Sequence, residues 1–157
     1  MATREEPLAA AQIEPLLACN ILVAVDGSLG AHLAVAHAAA IARVAGGRLT
    51  LLAVIPHPKL PAAAPMLGYD PHGTEEGWAA ELRAAAERAP RDVPITLRVA
   101  HGDPAVEIVR QAEEGCHDLI VLGCEGRGPL RGALRGTSQR VLRRSRVPVL
   151  VVRVPKR

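Results

Sequence analysis

Five short apolar runs, each separated from the next by a segment of helical period or by turn residues, constrain this chain more than any other feature. They fall at 21–25, 49–55, 95–100, 119–122 and 147–154. The first, Ile-Leu-Val-Ala-Val, is apolar without alternation, as a strand covered on both faces must be. After it, Ser28 is placed to cap a helix whose stripe Leu33, Ala36, Ala40, Ile41 and Val44 is expected to face inward, up to Gly46-Gly47. Trp78, Leu82, Ala85, Ala86 and Ala89 make one face of a second helix, closed by Pro90. Asp103-Pro104 supplies a cap and a first-turn proline to a third, which turns Ala105, Ile108, Val109 and Ala112 inward and stops at Gly115. A fourth helix is expected over 138–145. Residues 56–73 hold Pro56, Pro58, Pro61, Pro65 and Pro71 and read as a loop. Strands alternating with helices in this way give an α/β domain. Its sheet is parallel and its helices lie on both faces, because crossovers are right-handed.

The 157 residues fit one domain, with 1–19 as an N-terminal extension and 20–157 as the folded unit. Phe is absent and Trp78 and Tyr69 are the aromatic residues, so the core must be built from Ala, Val, Leu and Ile. The same scarcity argues against single-stranded nucleic acid, which needs aromatic platforms for base stacking. Net charge is +3, but Arg127, Arg131, Arg135, Arg140, Arg143, Arg144 and Arg146 crowd one region. They read as a solvated helix face with arginines near its C-terminus. Alternatively Arg127, Arg131 and Arg135 attract a polyanionic ligand. No recognition motif for duplex nucleic acid accompanies them. Cys19, Cys116 and Cys124 cannot pair completely and lack zinc spacing, which fits a reducing compartment. No apolar run approaches the length of a membrane span. Glu5, Glu6, Glu14 and Pro15 stand where a signal peptide would need basic and apolar residues. A cytoplasmic protein is expected.

Function is carried by the stretch after the fourth run. Gly123-Cys124-Glu125-Gly126 is followed, nine residues later, by Gly136-Thr137-Ser138. Glycines at a strand end allow a tight bend and a close ligand approach. A glycine followed by hydroxyl residues at a helix start presents N–H groups to anions. The pattern is a phosphate cradle, but neither a Walker A loop nor the Rossmann glycine triplet.

This spacing resembles the nucleotide-binding signature of the universal stress protein family. The opening strand with its turn Asp26-Gly27-Ser28 and the closing Val147-Pro148-Val149 strand are similar to that family's first and last strands. The likeness covers about residues 20–154. It implies the strand order 3-2-1-4-5 of the Rossmann-like, adenine nucleotide alpha hydrolase-like fold. In that order strands 1 and 4 are neighbours with a crevice at their carboxyl ends. The resemblance implies contacts to adenine from Ala24 and Val54, whose side chains equally read as plain core. It places Asp26 at the ribose or at a magnesium ion, although a turn-capping aspartate has the same look. It puts Gly123 near the ribose, Gly126 and Arg127 near the phosphates, and Gly136, Thr137 and Ser138 on them. Cys124-Glu125 departs from the family, which commonly has a hydroxyl and a basic or polar residue there.

The implied ligand is ATP, ADP or AMP. His32, His37, His57, His72, His101 and His117 form no triad or HExxH pair, so the expected task is binding rather than turnover. The alternatives are a slow metal-dependent ATPase and a nucleotide-free dimeric interaction module. The apolar run 147–154 falls at a sheet edge in the implied order, and its unpaired backbone predicts a homodimer.

Overall fold

The computed structural model describes residues 18–56, 74–124 and 133–155. In chain order the elements are β1 (Asn20–Ala24), α1 (Leu29–Ala45), β2 (Arg48–Ile55), α2 (Glu75–Glu87) and β3 (Ile95–His101). They continue with α3 (Pro104–Glu114), β4 (Leu119–Gly123), α4 (Ala133–Arg144) and β5 (Val149–Val152). The strands form one parallel sheet in the order β3-β2-β1-β4-β5, as expected.

Alternation along the strands sends side chains to two cores. Ile21, Val23, Leu49, Leu51 and Val121 point to one face, under α1 and α2. Leu22, Leu52, Ile120 and Leu122 point to the other, under α3 and α4. Both cores lack Phe, and their helices contribute mainly alanine, which lets backbone approach backbone.

That closeness overturns the expected inner face of α1. The residues it buries are Gly30, Ala31, Ala34, Val35, Ala38, Ala39 and Ala42. Leu33 and Ile41 sit at the margin, and Val44 is 92% exposed. The sequence stripe chose the bulkiest residues. The packing chose the smallest, because α1 lies against the backbone of β4. For α2 the expected face is observed, with Leu82, Ala85 and Ala89 buried and Trp78 and Ala86 beside them. Its cap is Thr74, whose side chain accepts the Gly77 N–H at 3.1 Å, and it stops at Glu87, short of Pro90. Asp103 caps α3 by accepting the Val106 N–H at 3.1 Å.

Two boundaries differ from expectation near the C-terminus. Helix α4 begins at Ala133 rather than at residue 138. Strand β5 has four residues rather than eight. Ser145 explains the late start of β5: its hydroxyl accepts the Val147 N–H at 3.0 Å and donates to the Val147 carbonyl at 2.7 Å. Val147 is thereby held in a turn, and Pro148 has no N–H to offer a ladder.

Candidate functional site

The site lies where β1 and β4, paired from Ile21↔Leu119 to Val23↔Val121, send their chains to opposite faces. Beyond β1 the Val25 N–H still reaches the Leu52 carbonyl at 2.8 Å. The chain then turns sharply. Asp26 Oδ1 accepts the Ser28 N–H at 3.0 Å, Gly27 takes a left-handed φ of 74°, and Ser28 Oγ accepts the Ala31 N–H at 3.1 Å. Asp26 therefore does have the turn-holding role that its position suggested. A carboxylate has two oxygens and several lone pairs, so one such bond leaves it acceptor capacity.

On the β4 side, Gly123 is where α1 comes closest. A Cβ placed there would stand 2.3 Å from the Gly30 carbonyl carbon and 2.7 Å from the Ala31 nitrogen. The missing side chain thus admits the first turn of α1 and draws the Asp26 turn toward the end of β4. Gly123 was expected to bend toward a ligand; the structure gives it this packing duty as well. The sequence reading did not anticipate the partner. The small pair Gly30-Ala31, just inside the Ser28 cap, was the available signal.

Helix α4 closes the third side. The Ser138 side chain is buried and makes a long hydrogen bond, 3.5 Å, to the Gly123 carbonyl. Because α4 starts at Ala133, Thr137 and Ser138 lie past its first turn. Their backbone N–H groups belong to the helix ladder, so their hydroxyls are what they can offer a ligand. The free N–H groups and the positive end of the helix dipole lie just before them. Gly136 sits at that boundary, half-buried, and a Cβ placed on it meets no described atom within 4 Å. No positive φ demands glycine there either.

Ala24 ends β1 and Val54 lies near the end of β2, both half-buried on the α3/α4 core. Gly126 and Arg127 lie outside the described residues, as do Glu125, Arg131, and the side chain of Arg135. Arg140 pairs with Asp103 at 2.9 Å and holds that carboxyl below the usual carboxylate range, with the Val106 N–H assisting against partial burial. Arg143, Arg144 and Arg146 are exposed.

Of the described histidines, His32 faces Glu81 at 3.5 Å, His101 faces Glu75 at 3.6 Å, and His117 bonds Thr50 at 2.9 Å. Cys116 precedes β4 and Cys124 follows it, so a whole strand separates them. Among the described residues no group of three His, Cys, Asp or Glu is placed to hold a metal ion.

The strand order, reversing at β1 and β4, makes this a doubly wound α/β domain, whose ligands bind at such a switch point. The chain belongs to the universal stress protein family, whose profile matches residues 19–153. It is 33% identical over 148 residues to a universal stress protein of Methanocaldococcus jannaschii, covering 88% of this chain and 84% of that one. A relative from Mycolicibacterium smegmatis, also 33% identical, is longer, and the chain spans 45% of it. A solved universal stress protein in complex with cAMP is 30% identical, with a TM-score of 0.62, covering 85% of this chain and 95% of that one. No helix among the described residues is long and apolar enough to cross a membrane.

Proposed function

We propose that this protein is a cytoplasmic stress-response regulator that binds ATP or a related adenylate in the crevice between β1 and β4. The observation that carries the reading is the Ser138–Gly123 hydrogen bond, which brings the start of α4, with Gly136 in its first turn, to the end of β4. A glycine that neither its φ nor any described atom requires, in a helix that would gain from alanine, is accounted for if a ligand lies against it. The cAMP complex of a relative with comparable coverage supports an adenine nucleotide as that ligand.

In this reading the nucleotide's phosphates meet the first turn of α4, with the hydroxyls of Thr137 and Ser138 adjacent. Gly126 and Arg127 belong to the same phosphate group of contacts. The base lies along Ala24 and Val54, and Asp26 takes the ribose. A magnesium ion fits here only as a nucleotide-borne ion. Asp26 would give it one carboxylate, and the phosphates and water would supply the rest.

A homodimer through β5 completes the proposal. Leu150 is 37% exposed on this edge strand, and the unpaired backbone invites a second copy. The short β5 limits that contact to Val149–Val152.

Calorimetric titration with ATP, ADP and AMP, with and without magnesium, tests the binding reading, and light scattering on the same samples reads the mass. Heat with saturable stoichiometry and no phosphate release is expected. Absence of heat or thermal shift at millimolar nucleotide would leave the nucleotide-free module. Phosphate release abolished by Asp26→Ala would make it a slow ATPase instead.

A further inference from the structure

We propose that the N-terminal segment of this chain, residues 8–17, docks along the outward face of α1. That face is apolar where a surface helix should be polar. Leu29 is 62% exposed and Val44 is 92% exposed. Ala36 and Ala40 are exposed between them and Leu33 is half-buried, so one continuous stripe runs the length of the helix. His37 and Arg43 flank it, and Arg43 is turned to Asp92 at 2.8 Å. Stripes of this kind on a small domain ordinarily mark a contact surface.

Where the chain enters the domain names the occupant. Ala18 is buried in the core under α1. Cys19 Sγ lies 3.8 Å from the Ala45 carbonyl, and Gly47 fits flush on the Cys19 backbone. Residues 8–17 are therefore tethered, through Ala18 and Cys19, near the C-terminal end of α1. It carries Leu8, Ile13, Leu16 and Leu17 with three consecutive alanines. From Val44 to Leu29 the helix is about 22 Å long, and ten residues of extended chain reach up to about 33 Å. A segment tethered at one end of the stripe competes at an effective concentration of order millimolar, well above that of a second copy in solution. The docked segment covers the exposed Ala36 and Ala40. The proposal is independent of nucleotide binding.

Hydrogen exchange on the full chain, read by mass spectrometry at two protein concentrations a decade apart, tests it. Wild type is compared with Ala40→Lys and Val44→Lys, both at exposed positions that the fold tolerates. Amides of residues 8–17 should exchange about tenfold slower in wild type than in either variant, equally at both concentrations. Exchange at the rate of a free chain in wild type would overturn the proposal, as would protection unchanged by both substitutions. Protection that grows with concentration would assign the stripe to a second copy and overturn it too.

Discussion

The two ends of the sheet are built on opposite plans. At the amino ends of the strands, polar groups interlock. The Asp118 carboxylate accepts the N–H groups of Cys19 and Asn20 at 2.9 and 3.0 Å. The Asn20 amide donates to the carbonyls of Gly115 and Cys116, and its oxygen accepts from Arg48 at 3.2 Å. His117 is buried on Thr50, and Gly47 packs on the Cys19 backbone. At the carboxyl ends, Asp26 holds its turn, Gly123 admits α1, and a Cβ on Gly136 would meet no described atom. One end is fastened within the protein. The other carries the turns and the helix start from which the proposed site is built.

The strongest way to break this contrast is to add a methyl group at each end. Gly123→Ala forces a Cβ into the α1 backbone, and Gly47→Ala forces one to 2.5 Å from the Cys19 carbonyl oxygen. Each should cost about 3 kcal/mol in urea unfolding, since backbone on both sides cannot yield cheaply. Only Gly123→Ala should also weaken nucleotide binding, because it moves the Asp26 turn. Equal binding by both folded variants would erase the distinction between the ends.

A smaller loss, about 2 kcal/mol, is expected for Asp118→Ala, which leaves two N–H groups without their charged acceptor. Its nucleotide affinity should match wild type. A changed affinity would mean that the fastened end transmits to the crevice.

Acid should loosen the same end. Burial pushes the His117 imidazole below its ordinary value of 6.5, with backbone carbonyls of Ala112 and Gln111 and the Asp118 charge opposing, and Arg98 assisting. Its buried Nδ1 has no hydrogen-bond partner among the described residues. The folded protein therefore favours the neutral ring, while the unfolded chain takes up a proton near pH 6.5. Stability from this group is full above that pH, falls as pH drops through it, and levels off below the depressed folded value. Melting temperature followed from neutral to mildly acidic buffer reads this, and His117→Gln should flatten the acid slope.

The smallest effect has the opposite sign. Gly136→Ala should stabilise the free protein by roughly 0.5–1 kcal/mol, because alanine favours helix and no described atom obstructs it. The same methyl should lower nucleotide affinity. A more stable protein with unchanged affinity would take the phosphates away from that space.

The contrast also shows what could be read in advance. The strand positions, the α3 cap at Asp103 and the Ser28 cap followed from apolar runs and turn residues, because those are local, whereas the strand order followed from the family resemblance. The face of α1 did not, since its orientation is set by how near β4 lies, and hydrophobicity ranks Leu33 and Val44 above Ala34 and Ala38. Residues 133–137 read as loop because Arg, Gly and Thr carry no helical stripe, although the helix had already begun. The site's glycines were conspicuous, but they were not separable: Gly123 packs on the α1 backbone, whereas a Cβ on Gly136 would meet no described atom. The Asp118–Asn20 clamp was invisible, since it joins residues about a hundred positions apart.

The most direct test maps backbone amides that respond to nucleotide. Spectra of the labelled protein with and without saturating ATP should show shifts at the Asp26–Ser28 turn, Gly123 and the Gly136–Ser138 stretch. Cys19, Asn20, Gly47 and His117 should stay where they are. Shifts confined to the amino ends of the strands, or none at all, would contradict the account.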